Sequence, residues 1–330
     1  MEVAEKTRYP GGGTDFQLVG VIMTWGRTLI LLLACLAVAT CGDEEPAKKI
    51  DLSTRQEVTV YRPENAITYA YLPQYTHTVS YQRHHLVIDY LSHATGLTIR
   101  QVFPDTFDEH MHMVGRGMID LTFSNPYIYV KIADRYGARA FARVVEAGGK
   151  EKFRGQIICR ADNPLIKTIA DCRGKSWLAV DPTSAGGYLY PLGHFIDHGI
   201  HITDFSDIAF APGPGGKQEK VVLAVYAGKY DVGTIREGTL NVVADKIDIN
   251  EIRVIANTRW YPGWVYAARE GLEPKIVEKI REALLTLDFN QKEHQRILEA
   301  ADFIKVIPSD DRDFNPVREL AAKVGISLEK

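Results

Sequence analysis

From residue 66 onward, short apolar runs alternate with longer stretches in which apolar residues recur every three or four positions. The first pattern predicts strands over 66–72, 97–103, 119–123, 156–160, 176–180, 208–211, 232–235, 252–257 and 264–267. The second predicts helices over 79–93, 106–118, 127–135, 168–172, 185–198, 217–227, 238–246, 274–287, 291–300 and 316–324. In the helix over 274–287, Ile276, Ile280 and Leu284 share one face, and a proline opens both it and the last helix. Strand–helix alternation of this kind predicts an α/β protein whose sheets are flanked by helices. No internal repeat is visible.

A different pattern precedes this region. Residues 29–41 (LILLLACLAVATC) are too short to span a bilayer core of about 30 Å comfortably, but suit the core of a secretory signal. Arg27 gives the positive flank, and Ala39 and Thr40 lead into Cys41, followed by Gly42-Asp43-Glu44-Glu45-Pro46. This order resembles a bacterial lipoprotein signal with Val38-Ala39-Thr40-Cys41 as its lipobox. The resemblance implies that Cys41 carries the lipid and becomes the mature N-terminus. An uncleaved anchor or a plain secretory signal are the alternatives, and each puts the folded part outside the cytoplasm. Residues 1–22, with Pro10-Gly11-Gly12-Gly13, do not fit a compact signal, whereas Met23 opens one of ordinary length, so the start is expected there. Residues 42–57 are polar, without periodicity, and read as a flexible tether.

The 330-residue chain, less signal and tether, suffices for two lobes of ordinary domain size. A net charge of −3 with no long charge block argues against a nucleic-acid partner, which needs a basic stripe. After Cys41 no apolar stretch reaches the roughly eighteen residues of a membrane span, so the membrane is expected only through the lipid. Two of the four cysteines, Cys159 and Cys172, follow the signal. They either pair in an oxidising compartment or stay as buried thiols, because spacing does not set the Cα separation that a bridge needs.

Four predicted loops each end a strand and begin a helix, the edge at which open α/β sheets bind ligands. They are Leu72-Pro73-Gln74-Tyr75-Thr76, Phe123-Ser124-Asn125-Pro126-Tyr127, residues 181–188 (DPTSAGGY) and residues 212–218 (PGPGGKQ). In the third, Ser184 can cap the next helix, while Gly186 and Gly187 let backbone N–H groups approach a ligand. Free N–H donors at a helix start suit an oxyanion, although a plain cap with tightly packed glycines has the same sequence. In the fourth, Lys217 adds a charge, which a solvated turn lysine would also explain. Tyr75, Phe123 and Tyr127 fit a pocket wall or the core. Gly174-Lys175-Ser176 lacks the first glycine of a P-loop, whose place Ile169 holds. His84-His85 and His110-Met111-His112 lack the spacing that aims two imidazoles at one ion, so no metal site is expected. Neither a Gly-x-Ser-x-Gly elbow nor a Cys-x-x-Cys pair supports covalent catalysis.

Several segments in order give a wider likeness: residues 118–126 (MIDLTFSNP), 162–175 (DNPLIKTIADCRGK), 181–188, and Leu223-Ala224-Val225 through Tyr230-Asp231-Val232. Over about 58–287 the chain resembles the phosphate/phosphonate/phosphite-binding group of periplasmic solute-binding proteins, receptors of ABC importers. The resemblance implies a type II periplasmic-binding-protein fold: two lobes, each a mainly parallel sheet flanked by helices, joined by two hinge strands. Lobe 1 would be 58–157 plus 265–330 and lobe 2 158–264, with crossings near 156–160 and 260–267. It also implies a cleft site. Thr183, Ser184, Ala185 and Gly186 would donate from lobe 2, Lys217 and Gln218 would clamp, and Asp231 and Thr234 would stand behind. Tyr75, Phe123 and Asn125 would close the site from lobe 1.

Some positions depart from the group. Ser184-Ala185-Gly186 stands where phosphonate- or phosphite-binding members show Ser-Thr-Ser, so two hydroxyls are gone. The group's histidine of the fourth loop falls on Gln218, and Phe123 replaces a tyrosine of some members. The acidic residue that some members use for an aminoalkyl group falls near Glu237, one position off. The expected function is therefore a lipid-anchored receptor for a small oxyanion of the phosphate, phosphite or phosphonate type. It would serve ABC permease subunits as a monomer, without cofactor or bond chemistry. The alternative is a sensory module presenting the same cleft to a membrane signalling partner.

Overall fold

The structure, a computed structural model, describes residues 66–328. The apolar run, Cys41 and the tether lie outside the described residues. The chain begins with β1 (Ile67–Tyr71), α1 (His77–Thr95), β2 (Ile99–Gln101), α2 (Phe107–Gly115), β3 (Leu121–Ser124), α3 (Pro126–Tyr136) and β4 (Arg139–Glu146). It continues through β5 (Lys152–Phe153), β6 (Gly155–Arg160), β7 (Ser176–Ala179), a π-type turn (Ala185–Leu189) running into α4 (Tyr190–Asp197), and β8 (Asp207–Phe210). Next come α5 (Lys217–Tyr226), β9 (Val232–Arg236), α6 (Thr239–Val242), β10 (Ile252–Asn257), β11 (Tyr261–Pro262) and β12 (Val265–Ala268). The C-terminal part holds α7 (Pro274–Leu285), α8 (Lys292–Ala301), β13 (Phe303–Pro308) and α9 (Asn315–Lys323).

Two sheets result. The first runs β13-β4-β12-β3-β1-β2 and the second β10-β6-β9-β7-β8. They are more mixed than the predicted parallel sheets. β1 pairs in parallel with β2 and β3, and β7 with β8 and β9, but every ladder made by β4, β6, β10, β12 or β13 within the two sheets is antiparallel. The reason is connectivity. A helical crossover returns a strand parallel, whereas the chain passes between the sheets directly, along the two-stranded antiparallel ribbon β5–β11. The first passage thus precedes 156–160, which is wholly strand of the second sheet.

The apolar runs over 156–160 and 176–180 are explained by burial on both faces. Ile157 and Trp177 enter one core with Phe195 and Val232, while the adjacent Ile158 and Leu178 enter another with Val221 and Ile235. The first sheet has a continuous core from Tyr69 and Leu91 through Phe123 and Tyr266 to Leu284 and Phe314.

Several boundaries differ from the pattern. The helix predicted over 238–246 shrinks to α6, and the strand over 97–103 to β2. β4 and β13 escape the sequence reading, because β4 mixes Arg139 and Arg143 with its apolar residues and β13 is only half buried. Cys159 and Cys172 are both buried free thiols. Burial, and then the neighbouring Cys159, pushes Cys172 up to about 12. Among the described residues no helix is long and apolar enough to cross a membrane.

Candidate functional site

The C-terminal ends of β7, β8 and β9 face those of β1 and β3. Between them lies a cavity of about 40 Å³, lined among others by Asn125, Ser184, Ala185, Gly186, Lys217, Gln218, Arg236 and Trp264. A larger chamber of about 280 Å³ shares Gln74, Phe153, Gln218 and Arg236 with it.

The turn after β7 is built from side chains that bind its own backbone. Asp181 Oδ1 accepts from Thr183 N (2.9 Å) and Oγ1 (2.7 Å), and Ser184 Oγ accepts from Gly187 N (3.1 Å). Gly187 is required by space, because a Cβ there would sit 2.3 Å from Val180 Cγ2. From behind, Thr234 Oγ1 donates to Gly187 O (2.6 Å) and accepts from Trp177 Nε1 (2.9 Å). Ala185 and Gly186 fall in the first turn of the helical segment, where N–H groups have no partner four residues back. Both line the cavity.

Two amides add donors. Gln218 Oε1 accepts from Arg236 N (2.8 Å), and Asn125 Oδ1 accepts from Tyr127 N (2.9 Å) and Ile128 N (3.0 Å), capping α3. With each carbonyl oxygen held, the NH2 group is the unused part of either side chain. Lys217 Nζ is engaged by Asp181 Oδ2 at 2.5 Å. Across the cavity mouth Gly216 N donates to Gln74 O (3.2 Å), and Gly216 takes φ 60°, a conformation open to glycine. The site is thus a small, partly open space with donors converging from both sheets.

The model of the family described as "ABC transporter, phosphonate, periplasmic substrate-binding protein" matches residues 69–314, most of the chain. The chain belongs to this phosphonate family of periplasmic substrate-binding proteins. The phosphate-import protein PhnD of Mycolicibacterium smegmatis is 25% identical over 317 residues, covering 90% of this chain and 95% of the relative. The binding component of an ABC phosphonate transporter from Pseudomonas aeruginosa superposes with a TM-score of 0.68 at 18% identity, covering 79% of this chain and 87% of that one. PhnD1 of Prochlorococcus marinus, in complex with methylphosphonate, gives 0.67 at 15% identity, with 79% and 98% covered. The fold is therefore the two-lobed type II periplasmic-binding-protein fold. As a family member the chain is the extracytoplasmic solute-binding component of an ABC importer, with a small solute and the permease as partners. The family lends no support to the sensory alternative.

Of the residues expected at the site, Asn125, Ser184, Ala185, Gly186, Lys217 and Gln218 line one cavity. Thr183 turns onto Asp181, and Thr234 supports the turn from the core. Tyr75 lines the larger chamber, with the Arg83 guanidinium 4.4 Å from its ring centroid. Phe123 is buried among Tyr71, His84, Trp264 and Tyr266, behind the cavity. Asp231 is the correction. It stands at the N-terminal end of β9, where its carboxylate accepts from Ser176 N and Oγ at 2.9 Å each, at the far edge of the sheet. The sequence reading missed Arg236 and Trp264. Arg236 ends β9, the same edge position that singled out the other loops, so that rule extended to this strand would have found it. Trp264 has no such signal, because it precedes its strand.

Proposed function

We propose that the cleft captures a small phosphorus oxyanion of the phosphate, phosphite or phosphonate type and presents it to the permease. The observation that carries this is the convergence of Ser184, Ala185, Gly186, Gln218 and Asn125 on one cavity. A buried multiply charged anion needs several hydrogen-bond donors, and charge-assisted bonds of this kind are the strong ones. The PhnD relative, a phosphate-import protein, and PhnD1 in complex with methylphosphonate support the same ligand class. Binding and lobe closure are the whole of the action, with no bond made or broken. The lobes are read as close to 58–157 plus 265–330 and 158–264, with the whole of β6 going to the second, and Cys41 as the lipid anchor of a monomer.

Isothermal titration of the protein with phosphate, phosphite, methylphosphonate, longer alkyl- and aminoalkylphosphonates, sulfate and acetate tests the ligand. Saturable one-to-one binding of a phosphorus oxyanion, with sulfate and acetate far weaker, is expected. Binding of none of the phosphorus compounds would overturn the reading. Mass spectrometry of the membrane-derived protein tests the anchor: diacylglyceryl on Cys41 is expected, and an unmodified N-terminus elsewhere would remove it.

A further inference from the structure

We propose that Arg236 is the specificity-determining donor of this cleft and that Glu146 is the residue that positions it. The inference rests on the oxyanion reading above and names the charged group that recognises the anion.

Arg236 lies where the spaces meet. It lines the small cavity beside Gly186 and Gln218, the larger chamber, and a third space of about 30 Å³ behind Trp264. Lys217, the cation expected from sequence, has its ammonium on Asp181 at 2.5 Å. Arg236 is engaged differently. Its Nη2 donates to Glu146 Oε1, an ion pair that crosses from β9 of the second sheet to β4 of the first. Its guanidinium carbon sits 5.2 Å from the Phe153 ring centroid. Its Nε is buried and has no hydrogen-bond partner. A buried unpaired guanidinium N–H is costly unless something accepts from it, and an oxyanion in the adjoining cavity is such an acceptor.

The neighbouring backbone fits this role. A Cβ on Gly186 would lie 3.2 Å from Arg236 Cβ, so the anion-binding turn and the base of the arginine are in close contact. Arg236 N also holds Gln218 Oε1 at 2.8 Å, which ties the amide clamp to the same residue. A guanidinium presents several donors in one plane and so serves two acceptors at once. Here Nη2 reaches Glu146 while Nε is left without a partner. Anion capture in lobe 2 and contact with lobe 1 are thereby coupled through a single side chain. A lysine carries the same charge without the planar fork and so holds two acceptors less well.

The test is titration of the full chain with methylphosphonate and with inorganic phosphate, for wild type, Arg236→Gln, Arg236→Lys, Glu146→Gln and the Glu146→Gln/Arg236→Gln double variant. Melting of each unliganded protein is recorded alongside. Arg236→Gln is expected to weaken binding at least about tenfold and Arg236→Lys at least about fivefold. Glu146→Gln is expected to weaken binding about threefold, chiefly through faster dissociation, and to add nothing in the Arg236→Gln background. Wild-type affinity in a folded Arg236→Gln or Arg236→Lys protein would overturn the assignment of Arg236. An additive double variant would overturn the positioning role of Glu146. Should Arg236→Gln fail to fold, Arg236→Lys, which retains the charge opposite Glu146, decides the matter. Wild type binding neither probe would instead remove the oxyanion reading on which the inference stands.

Discussion

Thr234 Oγ1 donates to the carbonyl of Gly187 at 2.6 Å while accepting the indole N–H of Trp177 at 2.9 Å, so one buried hydroxyl joins the strand β9 to the cavity-lining turn. Thr234→Val keeps the shape and removes both bonds. Each buried group left unpaired costs about 1–3 kcal/mol. Urea denaturation is expected to show that loss, with weaker methylphosphonate binding as the turn relaxes. Unchanged stability would mean that the turn holds itself.

Asn125 separates two roles that one side chain performs. Its Oδ1 caps α3, and its NH2 group is the part left for a ligand. Asn125→Asp keeps the cap, and a negative charge at a helix start is favourable. It also sets a carboxylate against the anion. Stability within about 0.5 kcal/mol of wild type and a loss of affinity of at least about tenfold are expected. Asn125→Ala is expected to lose about 0.5–2 kcal/mol of stability as well. An Asp variant that binds methylphosphonate normally would place Asn125 outside the site.

Buried histidines give the protein a sensitivity to acid. Burial, reinforced by the nearby Arg83, pushes His84 down to about 3, and burial alone brings His110 to about 3. His84 Nδ1 lies 2.6 Å from Tyr69 Oη and His110 Nε2 lies 2.5 Å from Thr122 Oγ1. In the unfolded chain both take up protons below about pH 6.5. The unfolded state therefore binds more protons between about pH 6.5 and 3, and stability falls as pH drops through that window. Each histidine contributes up to about 1.4 kcal/mol per pH unit. Urea midpoints between about pH 6.5 and 4.5 should show this slope, and His110→Gln should reduce it; an unchanged slope would count against His110 as its source.

The thiols should be silent in the native protein. Burial raises both Cys159 and Cys172 above the ordinary thiol range, so at about pH 8 neither offers a thiolate. Iodoacetamide followed by peptide mass spectrometry is expected to label both in guanidinium and neither in buffer. Labelling of Cys172 in buffer would show an opening that this close-packed core does not display.

Much of the cleft was legible because its loops carry local chemistry. The caps Ser184 and Asn125, the glycines of the turn and the Lys217-Gln218 pair each mark a strand-to-helix junction in sequence alone. What was not legible depends on where a strand points. Asp231 and Arg236 sit at opposite ends of β9, and only strand direction decides which one borders the cavity. The strands β4 and β13 were hidden because partial exposure blurs their alternation. Trp264 enters the site because β12 runs antiparallel to β3, a consequence of the direct passage between sheets rather than of any motif.

The last helix has its own bearing on movement. Val317, Leu320 and Ala321 of α9 lie in the core of the first sheet, while Val324 and Ile326 just beyond pack on the core that holds Trp177 and Phe195. Leu320 fills the space beside Gly193 of α4, and Lys323 pairs with Asp197 at the end of that helix. The ribbon β5–β11 is thus supplemented by a non-covalent fastening beside it, since Tyr190 of α4 stacks on Tyr261 of the ribbon at 4.0 Å. Any change in the angle between the two sheets would therefore have to part these contacts of α9 or carry α4 along with them.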